Sequence, residues 1–84
     1  MDFTDEQAVQ NEARRYLIEI SLELEAAATA ARRAAAALPG HRDVAWREIQ
    51  QMYARYDQAS RRMAELRATV EDAVSRLQPT AHLS

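Results

Sequence analysis

The chain of 84 residues has 48% hydrophobic and 29% charged residues, one Gly, two Pro and no Cys, so we expect one compact domain. The absence of Cys excludes a disulfide scaffold and a thiolate zinc site. The net charge is −2 and the two signs alternate along the chain, so we do not expect nucleic acid as a partner. The 18 Ala residues, with basic residues that are all Arg, favour helix throughout.

The beginning of the chain does not look like a targeting or membrane segment. Residues 1–6 are acidic where a secretory signal is basic and then apolar. The longest purely apolar run, residues 34–38, is far shorter than the roughly 20 residues that cross a bilayer. We therefore expect a cytoplasmic protein that does not insert into a membrane.

The first predicted element is a helix over residues 5–38. Thr4 and Gln7 have the spacing of a capping box, in which the Thr4 hydroxyl accepts a hydrogen bond from the Gln7 amide. Helix 1 is therefore predicted to start at Asp5. It ends before Pro39 and Gly40, because these two residues are the strongest local signal for a break.

The second predicted element is a helix over residues 44–78. Asp43 is a good N-cap, and its charge suits the positive end of the helix dipole. Residues 39–43 are therefore predicted to form the turn between the helices, and Pro79 is predicted to stop helix 2. The tail, residues 79–84, is short, polar and predicted to fray.

Both predicted helices carry apolar residues at alternating steps of three and four, which is the seam of a left-handed coiled coil. The helix 1 positions are Ala13, Leu17, Ile20, Leu24, Ala27, Ala31, Ala34 and Leu38. The helix 2 positions are Ile49, Met52, Tyr56, Ala59, Met63, Leu66, Val70, Ala73 and Leu77. The sequence predicts an all-α fold, an antiparallel hairpin in which residues 1–84 form one domain.

Two helices do not enclose a core, because each seam side chain has a neighbouring helix on one side and water on the other. Ile18 and Leu22 lie opposite the predicted seam, and Trp46 and Tyr53 add aromatic surface to helix 2. We predict these four side chains as the partner-binding surface. A symmetric dimer that forms a four-helix bundle, or a groove on a larger protein partner, would cover it. Aromatic residues near a turn are more often core than binding residues, so a core role for Trp46 and Tyr53 stays open.

The sequence does not point to catalysis or to a cofactor. No His lies near a Ser within either helix, and the Cys nucleophile is absent. Glu19, Glu23 and Glu25 lie close together on helix 1, and such carboxylates could bind a hard metal ion. We predict no catalytic, cofactor or metal site; a helical dimer with a carboxylate metal site is the alternative. The predicted function is a non-enzymatic protein interaction module, namely an adaptor, assembly subunit or inhibitor.

One family resemblance rests on two features of helix 2. Trp46 follows shortly after the turn, and residues 53–57 spell Tyr-x-x-x-Asp. In these features the chain resembles the small WXG-type (ESAT-6-like) helical-hairpin proteins of type VII secretion. Glu48 stands where the Trp-x-Gly motif of that family has glycine, and Tyr-x-x-x-Asp lies near the start of helix 2 rather than its far end. The resemblance implies export without a cleavable signal peptide, as a homodimer or with a sister protein.

Overall fold

The computed structural model describes residues 3–77, with the side chains of residues 6–76. Two long helices, α1 (Phe3–Ala37) and α2 (Arg42–Leu77), pack against each other along their length. This confirms the predicted all-α hairpin. The chain measures 64 × 24 × 12 Å and has a radius of gyration of 19.0 Å, whereas a compact domain of this length has about 12 Å. The molecule is therefore a single layer of two helices.

The start of α1 differs from the prediction. Helical structure is already present at Phe3, so Thr4 lies inside the helix and cannot be its N-cap. No Gly or Pro lies near this point, so nothing in the local sequence stops the helix from extending. The predicted capping bond of Thr4 lies outside the described side chains.

The turn is shorter than predicted, and Asp43 is not the N-cap of α2. The amide of His41 donates to the carbonyl of Ala37 at 2.7 Å, which closes the last turn of α1. The carbonyl of His41 then accepts from the amide of Ala45 at 3.0 Å, so His41 occupies the capping position. Asp43 falls within the first turn of α2, where its carboxylate still faces the positive end of the helix dipole.

The line of closest contact between the helices is made mostly of alanine. On each helix enclosed residues recur every seven positions, and Ala59 has no exposed surface at all. Ala30, beside this repeat on α1, is buried as well. On α1 this contact line comprises Ala13, Ile20, Ala27 and Ala34. On α2 it comprises Ala45, Met52, Ala59, Leu66 and Ala73. Because a methyl group is short, the two backbones can approach closely along this line.

Three layers of this contact line pair a small residue with a large one, while Ala34 and Ala45 near the turn are both small. The antiparallel arrangement pairs Ile20 with Ala59 and Ala27 with Met52. The next layer towards the open end pairs Leu66 with Ala13 by the same spacing. Each of these three layers therefore joins one long side chain to one short one, which is what interdigitated packing needs.

The predicted seam is correct in its period and wrong in which of its residues are enclosed. Ile20 is buried and Ile49, Met52 and Leu66 are half-buried, as predicted. The predicted seam alanines Ala27, Ala34, Ala59 and Ala73 are buried as well. Six other predicted seam residues are exposed: Leu17, Leu24, Leu38, Tyr56, Met63 and Val70. The alanine line brings the backbones so close that long side chains beside it do not fit between the helices. They are displaced to one side of the hairpin instead.

Three sequence predictions lie outside the described residues. They are the stop of helix 2 at Pro79, the frayed tail at residues 79–84, and the seam role of the Leu77 side chain.

Candidate functional site

One side of the helix contact, which we call the polar flank, is bridged by ion pairs between α1 and α2. Arg55 Nη1 lies 3.4 Å from Glu23 Oε2, and Arg62 Nε lies 3.1 Å from Glu19 Oε2. Arg62 also reaches Glu65 on its own helix, with Nη1 3.2 Å from Oε2. All of these side chains remain partly exposed, so each pair stabilises the hairpin by about 0.2 to 1 kcal/mol.

Tyr16 extends the polar flank towards the open end of the hairpin. The guanidinium carbon of Arg15 lies 5.7 Å from the centre of its ring, in the range of a cation–π contact. Partial burial, followed by the carboxylates of Glu65 and Glu12, raises the pKa of Tyr16 above its ordinary value of 10.0. The neutral phenol is therefore the form that the fold favours.

The opposite side of the contact, which we call the open face, is apolar and uncovered. Its large side chains are Leu17, Leu24, Tyr56, Met63 and Val70. Leu17 is 55% exposed and Tyr56 is 56% exposed, although both lie beside the contact line. In isolation about half of each of these side chains faces water, and burying that remainder would contribute roughly half of the ~1.5 to 3 kcal/mol that full burial gives.

A shallow groove interrupts the open face in the half of the hairpin nearer the turn. It has a volume of about 290 Å³, and every residue that lines it is apolar. The lining residues are Ala27, Ala28, Ala31, Met52, Tyr53 and Tyr56. The groove exists because α1 contributes only methyl groups here while α2 contributes two aromatic rings and a thioether. It is therefore shaped to receive aliphatic side chains.

The four predicted partner-binding residues are all exposed, but they do not form one surface. Tyr53 is 61% exposed and lines the groove. Leu22 lies on the polar flank beside Glu19, Glu23 and Arg62.

The other two of the four predicted residues lie away from both of these places. Ile18 is half-exposed, and the helical rotation of 100° per residue places it on the outer side of α1, away from α2. Trp46 is 61% exposed near the turn. Of the four, Tyr53 alone belongs to the open face and its groove.

Sequence reasoning assigned the main residues of the open face to the seam and so missed them as surface. The signal that could have found them is the heptad column of alanines at positions 45, 59 and 73, matched by positions 27 and 34 on α1. A column of small residues marks the closest approach of two helices. Its large neighbours at Tyr56 and Met63 must then lie to one side of it.

Two of the three carboxylates considered for a metal site are engaged with arginine. Glu19 and Glu23 each contact an arginine of α2. Within the described part of the chain, no three His, Asp or Glu side chains come close enough to hold a metal ion together.

Several of the arginines are likewise matched by carboxylates. On α2, Arg67 contacts Glu71 at 2.8 Å and Arg76 contacts Asp72, in addition to the pairs that cross to α1. Asp72 lies four positions before Arg76, an order that favours such a pair within a helix. Much of the positive charge of α2 is thus balanced within the hairpin.

Over residues 3–77, neither helix has an apolar stretch of the length needed to span a bilayer. Comparison of the chain with protein-family models, with curated proteins and with solved structures finds no match in any of the three. The chemistry of the exposed surface therefore carries the functional argument.

Proposed function

We propose that this chain is a non-enzymatic protein interaction module that associates through the open face. The observation that carries the proposal is the exposure of Leu17, Leu24, Tyr56, Met63 and Val70. These side chains form a continuous apolar stripe with coiled-coil spacing, whereas the opposite flank of the same contact is charged. An apolar stripe of this length beside a polar surface is typical of a helix-packing interface.

The total surface of the hairpin supports the same proposal. The chain exposes 6611 Å², whereas a folded monomer of 9.5 kDa exposes about 5,000 Å². The surplus exceeds the ~800 Å² that each partner buries in a standard protein interface. A helical layer laid on the open face would bring the exposed area close to that of an ordinary globular protein.

The association that we propose has two levels. A second copy covers the open face and completes a four-helix bundle, which turns two exposed stripes into one core. The outer side of α1 with Ile18, the polar flank with Leu22, and the end near Trp46 then remain available to a larger protein partner. An adaptor, an assembly subunit or an inhibitor that occupies its target would use such a surface.

The test compares two double variants, each of which replaces two apolar side chains with aspartate. Leu24→Asp with Met63→Asp places charge on the open face, and we expect the mass measured by light scattering to fall to that of a monomer. Ile18→Asp with Leu22→Asp places the same charge elsewhere on the hairpin, and we expect the mass to stay unchanged. Circular dichroism at the same concentrations reports whether the variants stay helical.

Three results would contradict the proposal. The first is a wild-type protein that stays monomeric at the highest attainable concentration. The second is a mass that falls only in the Ile18→Asp, Leu22→Asp variant. The third is an open-face variant whose mass and thermal unfolding both equal those of the wild type.

The exposure of Trp46 beside the turn favours a second candidate function, export through a type VII secretion system. In that case Trp46 would be recognised by the secretion machinery and not by a cytoplasmic partner. Expression in a host with such a system tests it: Trp46→Ala would abolish export, and Trp46→Phe would retain part of it. Equal export of both variants and the wild type would contradict this candidate.

A further inference from the structure

The open face carries a second seam on each helix. On α1, Leu17, Ser21, Leu24 and Ala28 follow steps of four, three and four, so they lie on one side of the helix. On α2, residues 53, 56, 60 and 63 follow steps of three, four and three, so they also lie on one side of their helix. A helix in a four-helix bundle needs two such seams, because it packs against two neighbours. The hairpin uses the first seam internally, and the second is exposed.

The sizes of the side chains on this second seam are complementary when the helix is reversed. Read forwards, the α1 seam is large, small, large, small: Leu17, Ser21, Leu24, Ala28. An antiparallel copy of the same helix places Ala28 opposite Leu17 and Leu24 opposite Ser21. The midpoint of each pair lies between residues 22 and 23, so one antiparallel alignment satisfies both pairs.

The second seam of α2 has its centre at the same height. Its inner pair joins a large to a small residue, Tyr56 with Ser60, whereas its outer pair, Tyr53 with Met63, joins two large ones. When two copies of α2 are paired antiparallel about residue 58, Tyr56 of one copy lies opposite Ser60 of the other. The ion pairs of the polar flank join Glu19 to Arg62 and Glu23 to Arg55. Residue 21, midway between the two glutamates, therefore lies level with residues 58 and 59, midway between the two arginines. The two centres therefore fall within about 3 Å of each other along the hairpin, given a rise of 1.5 Å per residue.

We propose that the occupant of the open face is a second copy of this chain, related by a two-fold axis through the middle of the hairpin. The two turns then lie at opposite ends of the dimer, with α1 on α1 and α2 on α2. Leu17 of each copy enters the groove of the other over Ala28, and Leu24 packs over Ser21. This inference rests on the proposed function and adds the orientation of the second copy and the residues that pair.

The alternative symmetric dimer, with both turns at the same end, packs poorly. It would place α1 over α2 of the second copy at equal heights, so Leu17 would meet Met63 and Leu24 would meet Tyr56. Ser21 would meet Ser60, which leaves a gap between two pairs of large residues. Close-packed interiors tolerate neither overlaps nor voids of this kind.

The polar atom that α1 brings to the proposed centre does not oppose burial. The hydroxyl of Ser21 donates to the carbonyl of Ile18 at 2.7 Å, so it has a partner within its own helix. A hydroxyl with a hydrogen-bond partner can enter an interface without the cost of an unsatisfied donor. Ser21 is therefore a small residue that allows close approach at the two-fold axis.

The first experiment uses the absence of Cys in the chain to cross-link one position at a time. The two copies of residue 21 lie about 4 to 5 Å apart along the proposed dimer, within reach of a disulfide between facing helices. We expect Ser21→Cys to form a covalent dimer on mild oxidation. Ser75→Cys is the matched control: it is exposed, but it lies near the open end of α2, far from the axis. We expect it to remain uncross-linked.

The second experiment exchanges the large and small residues of one predicted pair. Leu17→Ala and Ala28→Leu are each expected to raise the dimer dissociation constant by at least about tenfold, since every dimer contains the altered contact twice. The double variant restores one large and one small residue at each contact. We expect its dissociation constant to return to within about threefold of the wild type.

The outcomes separate this inference from the proposed function. Cross-linking at residue 21 together with rescue in the double variant supports both. A dimer that fails to cross-link at residue 21, or a double variant that is weaker than either single variant, overturns the orientation and leaves association through the open face standing. A protein that stays monomeric in light scattering and forms no covalent dimer overturns both.

Discussion

Ala59 lies where the two helices are closest, and its methyl group has no exposed surface. A longer side chain at this position has no space, because the neighbouring contact in the same layer is already made by Ile20. The residue matters through its small size and not through any interaction of its own. The same argument applies to Ala45, which is 1% exposed.

We therefore predict that Ala59→Leu lowers the free energy of unfolding by about 1 to 3 kcal/mol, as overpacking of a close contact does. Ala64→Leu is the matched control, since residue 64 is exposed on the same helix and the change should stay within about 0.5 kcal/mol. Urea unfolding followed by circular dichroism measures both. Equal stability of the two variants would mean that the helices are not held together along the alanine line.

Tyr16 gives the fold a dependence on alkaline pH. Its pKa is raised in the folded state by partial burial and by the carboxylates of Glu65 and Glu12, against a smaller opposing effect of Arg15. A raised pKa means that the unfolded chain loses the proton first. The contribution of Tyr16 is thus complete below the ordinary value of 10.0, and it is lost as the pH rises through the pKa of the folded state.

The prediction is a comparison with Tyr16→Phe, which keeps the ring and removes the titrating group. The difference in unfolding free energy between the two proteins should be constant below the ordinary pKa of tyrosine. Above it, the wild type should become less stable relative to Tyr16→Phe. Denaturant unfolding at a series of alkaline pH values measures this difference. If the difference stays constant throughout that range, the environment of Tyr16 is not the one described.

At the scale of the elements, the turn depends less on its glycine than the sequence suggests. Gly40 does not have a positive φ, and a Cβ atom added to it would meet no atom within 4 Å. Its conformation is therefore open to ordinary residues, while its flexibility enlarges the unfolded ensemble.

We predict that Gly40→Ala raises the free energy of unfolding by about 0.4 to 1 kcal/mol, because the substitution restricts the unfolded chain without straining the fold. Thermal and urea unfolding should agree on the sign. A clear loss of stability would show that the turn needs a conformation that only glycine adopts.

The ion pairs between the helices make a different and weaker contribution. The coupling between Glu19 and Arg62, measured with a double-mutant cycle of alanine variants, should be about 0.2 to 1 kcal/mol at low salt. It should decrease at ~1 M salt, where the Debye length is only about 3 Å. A coupling that is large and insensitive to salt would place this pair in a much drier environment than the one seen here.

Sequence periodicity was sufficient to predict both helices, the break at Pro39 and Gly40, and the antiparallel hairpin. It was not sufficient to predict which residues the hairpin encloses. Leu17 and Ile20 both satisfy the heptad pattern, and so do Tyr56 and Ala59. The choice between them depends on how closely the backbones approach and on which flank the arginines bridge. The distance between the backbones and the choice of flank both depend on the two helices together, so neither can be derived from one helix alone.

The prediction of the partner-binding surface left out most of the open face for the same reason. Ile18 and Leu22 were chosen because they lie opposite the expected seam, and they are indeed exposed. Once the contact is centred on the alanine line, however, half of the expected seam becomes surface as well. The larger apolar surface, through Leu24 and Met63, could be located only after the rotation of the helices was known.

For the whole molecule, a layer about 12 Å thick cannot bury its side chains on both sides. Folding and association should consequently be linked, and stability should depend on how many molecules are present. We predict that the thermal midpoint rises by about 3 to 5 °C for each tenfold increase in protein concentration.

Calorimetry or circular dichroism over a hundredfold range of concentration measures this dependence. The variant with Leu24→Asp and Met63→Asp is the control, since a protein that cannot pair should melt at one temperature throughout. A constant midpoint for the wild type would mean that the layer is stable alone.

The alternation of short and long residues along the contact line determines how the two helices align. Sliding one helix by a heptad would drive Ile20 against Leu66 and would leave Ala27 facing Ala59 across a void. The correct alignment is thus encoded in the side chains themselves, and the covalent link between the helices contributes proximity alone. Two separate peptides, divided at Gly40, would carry enough information to recover the same pairing.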